Sequence, residues 1–225
     1  MVTMPGTAAD ASVAGRRRRL GPLLFVSGIQ YFVVQLVVAR RFAGGYDLAG
    51  NTISDLGNSS CGSFNGRLVC SPLHTLMNSS FIVLGLCMMA GSYLLLGWFA
   101  KSRGSTIGLG LFALGGVGAV LVGLFPENTV PALHGIGAAL PFFFGNIGLV
   151  ILGRTMGGGW PIRASTFLAG AIALLALGVY VSGHYGALGE GGIERVVAYP
   201  QTVWMIAIGL CGLLRSRTTG TSGPS

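Results

Sequence analysis

Six apolar stretches, each long enough to cross a bilayer, constrain the fold of this chain more than any other feature. A helix needs about 20 residues to cross roughly 30 Å of hydrocarbon. Charged residues make up only 9% of the chain, against about 25% in soluble domains, so a fully water-exposed surface is excluded. The sequence predicts an all-α, polytopic membrane protein, a bundle of six transmembrane helices at Leu20–Ala39, Pro72–Ala100, Thr106–Phe125, Ala132–Gly153, Ala164–Gly183 and Glu194–Leu214.

The basic residues predict how this bundle is oriented. If the N-terminus is cytoplasmic, ten of the 14 lysines and arginines lie inside, and only Arg40, Arg41, Arg67 and Arg195 lie outside. Cytoplasmic segments carry such an excess of basic residues, so we predict that both termini are cytoplasmic (N-in/C-in). The first stretch is too long for the 7–15 apolar residues of a secretory signal, which favours an uncleaved anchor.

This topology divides the chain into three parts. Residues 1–19 are expected to form a disordered basic cytoplasmic tail, and residues 20–215 the membrane domain with an outer loop at 40–71. Residues 216–225 are expected to form a second disordered cytoplasmic tail. We expect a multi-pass protein of the cell membrane.

The net charge of +8 does not indicate a nucleic-acid partner. Basic residues lie at the ends of apolar stretches and are not interleaved with aromatic residues as a stacking surface requires. We therefore expect no nucleic acid and membrane lipid as the partner; the sequence does not identify a protein partner.

In the predicted orientation all three histidines lie at the outer face, together with five of the six carboxylates. His74 and His134 fall in the first turn of their helices, where the helix dipole favours the neutral imidazole. Neutral imidazole is the form that binds metal or acts as a general base. His74, His134 and His184 are therefore a candidate metal site, with zinc as the candidate cofactor. The alternative for each histidine is an interfacial anchor or a hydrogen-bonding partner for a loop.

Other polar residues extend this outer rim. Asn78 lies one turn below His74, where it either lines the site or bonds a neighbouring helix. Glu194 and Arg195 form either a functional pair or the start of an interfacial helix. The rim residues without an assigned role are Asn51, Ser54, Asn78, Glu194 and Arg195.

Cysteine spacing in the outer loop predicts a disulfide. Cys61 and Cys70 flank a glycine-containing turn on the side of the membrane where disulfides form. Two free thiols, or half of a metal site, are the alternatives.

Two short segments resemble a known family. Tyr46 with the run Asn51–Gly57 is one, and Gly123–Glu127 followed by His134 is the other. Both are similar to a bacterial and archaeal membrane family catalogued as domain of unknown function nine-nine-eight. The resemblance covers about residues 20–215 and implies the bacterial plasma membrane as the location.

That resemblance implies a six-helix fold and assigns no reaction. It singles out Asp55, Glu127 and His134, which we take as candidate catalytic residues. A second resemblance is to ceramidase-type membrane hydrolases, in which Ser71, His74 and Asp55 would be compared with the zinc ligands. The six predicted spans, instead of seven, depart from that fold.

Three classes of function follow. The first is a metal-dependent hydrolase or transferase that acts on a lipid head group at the outer face. The second is a non-catalytic membrane assembly or lipid-binding subunit. A transporter ranks third, since the spans carry no charge near the midplane, where transporters place ionisable groups.

Overall fold

Six helical spans make up most of the chain, in a computed structural model that describes residues 19–99 and 102–218. Each is long and apolar enough to cross a membrane, which confirms the predicted fold class. Within the described residues these spans, numbered first to sixth, are Arg19–Ala39, His74–Phe99, Arg103–Leu124, Pro131–Thr155, Trp160–Ser182 and Gly186–Arg215.

Three of the spans contain more than one helical segment, and the sixth joins a short 3-10 helix (Gly186–Leu188) to the α-helix that follows it. The first contains helix α1 (residues 19–26) and helix α2 (Ile29–Ala39). The fourth contains α5 (Pro131–Ala139), a π-helical turn (Leu140–Gly145) and α6 (Asn146–Thr155). The other helices are α3 (His74–Phe99), α4 (Arg103–Leu124), α7 (Trp160–Ser182) and α8 (Gly189–Thr218), with short 3-10 helices at Ser54–Gly57 and Gly186–Leu188.

The helices extend beyond several predicted bounds. The fifth span begins at Trp160 and not at Ala164, because Pro161 is readily accommodated in a first helical turn. Helix α8 runs to Thr218, so the first residues of the predicted tail 216–225 are helical. Residues 1–18 and 219–225 of the predicted tails lie outside the described residues.

Glycines allow the second, third and fourth spans to pack closely. A Cβ at Gly85 would lie 2.3 Å from the carbonyl oxygen of Gly116, and one at Gly118 would lie 2.3 Å from that of Gly137. A side chain at either position would collide with backbone. Such small-residue contacts are typical of helix packing in membranes, and they place the third span between the second and the fourth.

A β-hairpin lies in the loop between the first two spans. Strands β1 (Gly62–Phe64) and β2 (Arg67–Val69) pair antiparallel. Asn65 and Gly66 connect them with φ angles of 48° and 77°. Two residues with positive φ match the right-handed twist of a hairpin.

A disulfide closes the base of this hairpin. Cys61 and Cys70 are bonded, as predicted. The hairpin strand that carries Arg67 is therefore covalently held next to the start of the second span.

The two ends of the bundle differ chemically. We call residues 40–73, 125–130 and 183–195 the loop face, and the opposite end the arginine face. The loop face contains every carboxylate of the described residues: Asp47, Asp55, Glu127, Glu190 and Glu194. The arginine face carries Arg19, Arg103, Arg154, Arg163 and Arg215.

Candidate functional site

A short 3-10 helix positions Ser54 on the loop face. The helix begins with a reciprocal pair of hydrogen bonds: Thr52 N donates to Asp55 Oδ2 at 3.1 Å, and Asp55 N donates to Thr52 Oγ1 at 3.1 Å. This capping-box arrangement satisfies amides that a helix start would otherwise leave free. Thr52 and Asp55 thereby fix the backbone on both sides of Ser54.

Asp55 is fully buried, and Arg67 compensates its charge. Arg67 Nε donates to Asp55 Oδ2 at 2.8 Å, while Nη1 donates to Glu190 Oε2 at 2.6 Å. Asn51 Nδ2 donates to the same Asp55 oxygen at 2.9 Å. Burial lowers the pKa of Arg67, but Asp55 and Glu190 outweigh it and raise the pKa above its usual value. Asp55, with these partners, holds the loop in place.

His134 makes the closest contact to the Ser54 hydroxyl. His134 Nε2 lies 2.9 Å from Ser54 Oγ, and Nδ1 of the same ring lies 2.9 Å from the carbonyl oxygen of Phe125. Only 7% of His134 is exposed. The histidine starts the fourth span, and Phe125 belongs to the connection that precedes it.

The carbonyl of Phe125 determines the tautomer of this histidine. A carbonyl oxygen only accepts hydrogen bonds, so Nδ1 must carry the ring proton. In the neutral ring Nε2 is then an acceptor, and the Ser54 hydroxyl donates to it. A hydroxyl that donates to an oriented imidazole is the arrangement in which serine nucleophiles are activated.

Glu194 reaches Ser54 from the sixth span. Its carboxylate accepts a hydrogen bond from Ile53 N, and its Oε1 lies 3.4 Å from Ser54 Oγ. The side chain is 3% exposed. The Ser54 hydroxyl therefore lies between an imidazole and a carboxylate.

Glu127 is a second carboxyl beside this group. Burial raises the pKa of Glu127 to about 9, and the negative charge of Asp55 adds to the effect. The side chain is therefore protonated at neutral pH. Its Oε1 is buried without a hydrogen-bond partner among the described residues.

Arg195 fastens the loop to the sixth span. Its Nη2 donates to the Tyr46 hydroxyl, which in turn donates to the carbonyl oxygen of Thr52 at 2.7 Å. Its Nη1 donates to the carbonyl oxygens of Leu48, Asn51 and Gly191. These bonds hold the segment before Ser54 against the helix that carries Glu194.

An apolar cavity of ≈ 50 Å³ opens beside Ser54 and Glu194. It lies between spans, and its walls include Phe81, Leu84 and Phe142. The polar groups of the site thus meet a hydrocarbon-like surface at one end of the bundle.

The structure brings most of the predicted site residues together, but not the three histidines. His74 Nδ1 bonds the carbonyl oxygen of Ser71 at 3.0 Å, and His184 Nδ1 bonds that of Ser182 at 2.8 Å. In residues 19–99 and 102–218 no group of three or more His, Cys, Asp or Glu side chains is arranged to hold a metal. The predicted three-histidine zinc site is not assembled among the described residues, because the His74 and His184 rings each bond the main chain of their own segment while His134 contacts Ser54.

The remaining rim residue, Asn78, bonds the loop. Its Nδ2 donates to the carbonyl oxygen of Gly57 at 2.9 Å. A Cβ at Gly57 would lie 2.3 Å from the Asn78 side-chain oxygen, so a side chain at this position would displace the Asn78 amide. Asn78 therefore anchors the end of the 3-10 helix to the second span.

Several members of the site, among them Arg67 and the Phe125 carbonyl, are not predicted from the sequence. By sequence Arg67 is only an outer charge, although it is the one basic residue between the disulfide cysteines. The Phe125 carbonyl cannot be identified from the sequence, because every residue has a main-chain carbonyl whatever its side chain. The Thr52–Asp55 spacing was a usable signal, since a capping box indicates a helix start around Ser54.

The spans and this buried cluster define a multi-pass membrane protein with a serine–histidine–carboxylate site at one end. The sequence matches the family described as Protein of unknown function (DUF998) over residues 7–211. The chain therefore belongs to that family. No curated protein and no solved structure matches the chain.

Both family-like segments meet at this site. The first supplies Ser54 and its capping residues, and the second supplies the Phe125 carbonyl that orients His134. These two segments are therefore complementary parts of a single site.

Proposed function

We propose that this protein is a membrane-embedded acyl-ester hydrolase or acyltransferase that acts on a lipid, with Ser54 as nucleophile and His134 as general base. The observation that carries the proposal is the 2.9 Å contact between Ser54 Oγ and His134 Nε2, with Nδ1 bonded to the Phe125 carbonyl. A nucleophile, a base and a group that orients the base are the three parts of such a centre.

The reaction needs no group beyond the substrate, water or an acceptor alcohol. Ser54 Oγ bonds to the ester carbonyl carbon while its proton passes to His134 Nε2. The bond from that carbon to the leaving oxygen breaks, and His134 returns the proton to this oxygen. Water or an acceptor alcohol then attacks the acyl group on Ser54, its proton passes through His134, and the Ser54 hydroxyl is restored.

The surroundings of Ser54 favour a lipid substrate. The apolar cavity adjoins the Ser54 hydroxyl on one side. The charged residues of the loop face lie on the other side of this hydroxyl. A substrate with an apolar chain and a polar ester region matches both surfaces. With the arginine face in the cytoplasm, as the basic residues predict, the reaction takes place at the outer leaflet.

A fluorophosphonate probe tests the nucleophile directly. We expect the purified full-length protein in detergent to be labelled covalently, and Ser54→Ala to abolish labelling. His134→Gln should slow labelling by about 10²–10⁴-fold, the usual contribution of a general base. Ser59→Ala, an exposed serine of the same loop, is the matched control and should label like wild type.

Unchanged labelling of Ser54→Ala, or absence of labelling in folded wild-type protein, would contradict the enzyme proposal. Folding of each variant is checked by its melting temperature, so that loss of labelling is not confused with loss of structure.

A second candidate function is a lipid-binding subunit without catalysis. One observation favours it: Glu194 already accepts from Ile53 N, an amide next to Ser54 that an oxyanion would otherwise use. In this case lipid would co-purify equally with wild type and Ser54→Ala. Mass spectrometry of co-purified lipid, together with the probe experiment, separates the two functions.

A further inference from the structure

A second cavity lies at the arginine face, far along the bundle from Ser54. Its volume is ≈ 400 Å³, and it lies where the fourth span ends and the fifth begins. Arg154, Trp160, Arg163 and Phe167 are among its lining residues. A cavity of this size is in the range that holds small ligands.

Two arginines of the lining are fixed by neighbouring groups. Arg163 Nη2 donates to the carbonyl oxygen of Arg154 at 2.6 Å, and its Nε lies 3.4 Å from that of Gly153. The guanidinium of Arg154 lies over the Phe167 ring, with its central carbon 4.4 Å from the ring centroid. Both charges are therefore held beside the same cavity.

These contacts do not neutralise the two positive charges. All five carboxylates of the described residues belong to the loop face, and the ion pairs found there involve Arg67. A guanidinium has five N–H donors, so the bonds from Arg163 to two carbonyl oxygens leave capacity for an anion. Adjacent cations in a cavity attract an anionic group.

Trp160 indicates where in a bilayer this cavity lies. The side chain is 79% exposed and stands at the rim of the cavity. Exposed tryptophan in a membrane protein is enriched at the level of the lipid head groups. The arginines are therefore at the depth where phosphate groups are found.

We propose that this cavity binds a phosphate group, with Arg154 and Arg163 as its ligands. Planar guanidinium groups match phosphate oxygens in geometry as well as in charge. The phosphate belongs either to an anionic phospholipid or to a soluble molecule. The proposal is independent of the chemistry at Ser54.

Titration calorimetry on the full-length protein in detergent tests this site with three probes. They are dioctanoyl phosphatidylglycerol, dioctanoyl phosphatidylcholine and inorganic phosphate. Binding of phosphatidylglycerol well above phosphatidylcholine, without binding of inorganic phosphate, identifies an anionic-lipid site. Comparable binding of phosphatidylglycerol and inorganic phosphate identifies a site for soluble phosphate.

Arg154→Gln is the decisive variant. Arg163 bonds the main chain of residue 154, so the substitution leaves Arg163 in its position. We expect about fivefold weaker binding, since a basic residue near anionic lipid contributes about 1 kcal/mol. Arg154→Gln with Arg163→Gln should weaken binding by about 30-fold. Arg41→Gln, which removes an exposed arginine from the loop face, is the control and should bind like wild type.

The proposal is overturned if neither phosphatidylglycerol nor inorganic phosphate binds. It is equally overturned if folded Arg154→Gln binds either probe as tightly as the Arg41→Gln control does.

Discussion

The loop face and the arginine face hold their charges in different ways. On the loop face the buried carboxylate of Asp55 meets the guanidinium of Arg67, and both are bonded to further polar groups. On the arginine face Arg154 and Arg163 contact a ring and carbonyl oxygens, with no carboxylate partner in the described part of the chain. The loop face therefore depends on the Asp55–Arg67 ion pair for stability, while Arg154 and Arg163 of the arginine face are available to bind an anionic ligand.

Replacement of one arginine at each end gives the sharpest test of this difference. We expect Arg67→Met to destabilise the protein by about 3–5 kcal/mol, because it leaves Asp55 buried without its cation. Arg154→Met should cost no more than about 1 kcal/mol, the scale of an exposed cation–π contact. Melting temperatures in detergent, converted with the calorimetric enthalpy, provide the measurement.

Equal destabilisation by the two substitutions would remove the distinction between the faces. Arg67→Lys is an intermediate case, because lysine keeps the positive charge but cannot donate to Asp55 and Glu190 from separate nitrogens as the guanidinium does. It should fall between wild type and Arg67→Met.

Reduction of the disulfide should have the next largest effect, confined to the loop face. Opening the loop from Cys61 to Cys70 is expected to cost about 2–3 kcal/mol in the chain-entropy model. Melting curves with and without reductant measure this cost, and the Cys61→Ser, Cys70→Ser double variant should be insensitive to reductant. No shift in wild type under complete reduction, as checked by thiol titration, would show that the hairpin is held by its other contacts alone.

Measured per pH unit, the smallest expected effect is a dependence of stability on pH that originates from Glu127. Its folded-state pKa is raised from 4.5 to about 9, so the folded chain favours the neutral carboxyl. The resulting stabilisation is complete below about pH 4.5 and is lost as the pH rises through 9. A single titrating group changes the free energy of unfolding by at most about 1.4 kcal/mol per pH unit, so we expect stability to fall with a slope of up to this size across the range.

Glu127→Gln should reduce this slope, because the amide stays neutral at every pH. Melting temperatures from pH 5.5 to 9 compare it with wild type, and Asn128→Ala serves as a neutral neighbour that should keep the wild-type slope. An unchanged slope in Glu127→Gln would assign the pH dependence to another group.

Much of the fold was predictable because hydropathy alone determines the spans. The disulfide was predictable as well, since Cys61 and Cys70 are close in sequence. The orientation of the bundle stays a prediction that rests on the positive-inside rule. Span bounds were less accurate, since helices continue past the apolar residues wherever their main-chain bonds are satisfied.

The site was predictable in part. Its end of the bundle and several members, among them Asp55, Glu127 and His134, follow from where polar residues fall along the chain. The contacts that these residues make cannot be predicted in the same way. The Ser54–His134 contact joins positions 80 residues apart, and the Ile53–Glu194 contact joins positions 141 residues apart. Such contacts depend on the rotation of each helix about its own axis, which composition does not reveal.

The π-helical turn of the fourth span has a consequence for both ends of the molecule. His134 precedes this turn and Arg154 follows it, on one continuous span. A π turn accommodates one residue more than α-helical geometry would, and each residue of an α-helix turns the chain by about 100°. Deleting a single residue between Leu140 and Gly145 would therefore leave a regular α-helix with His134 and Arg154 still in register. Deleting a second residue would rotate the two halves by about 100° relative to each other, so that Arg154 would point away from Phe167 while His134 stayed at Ser54.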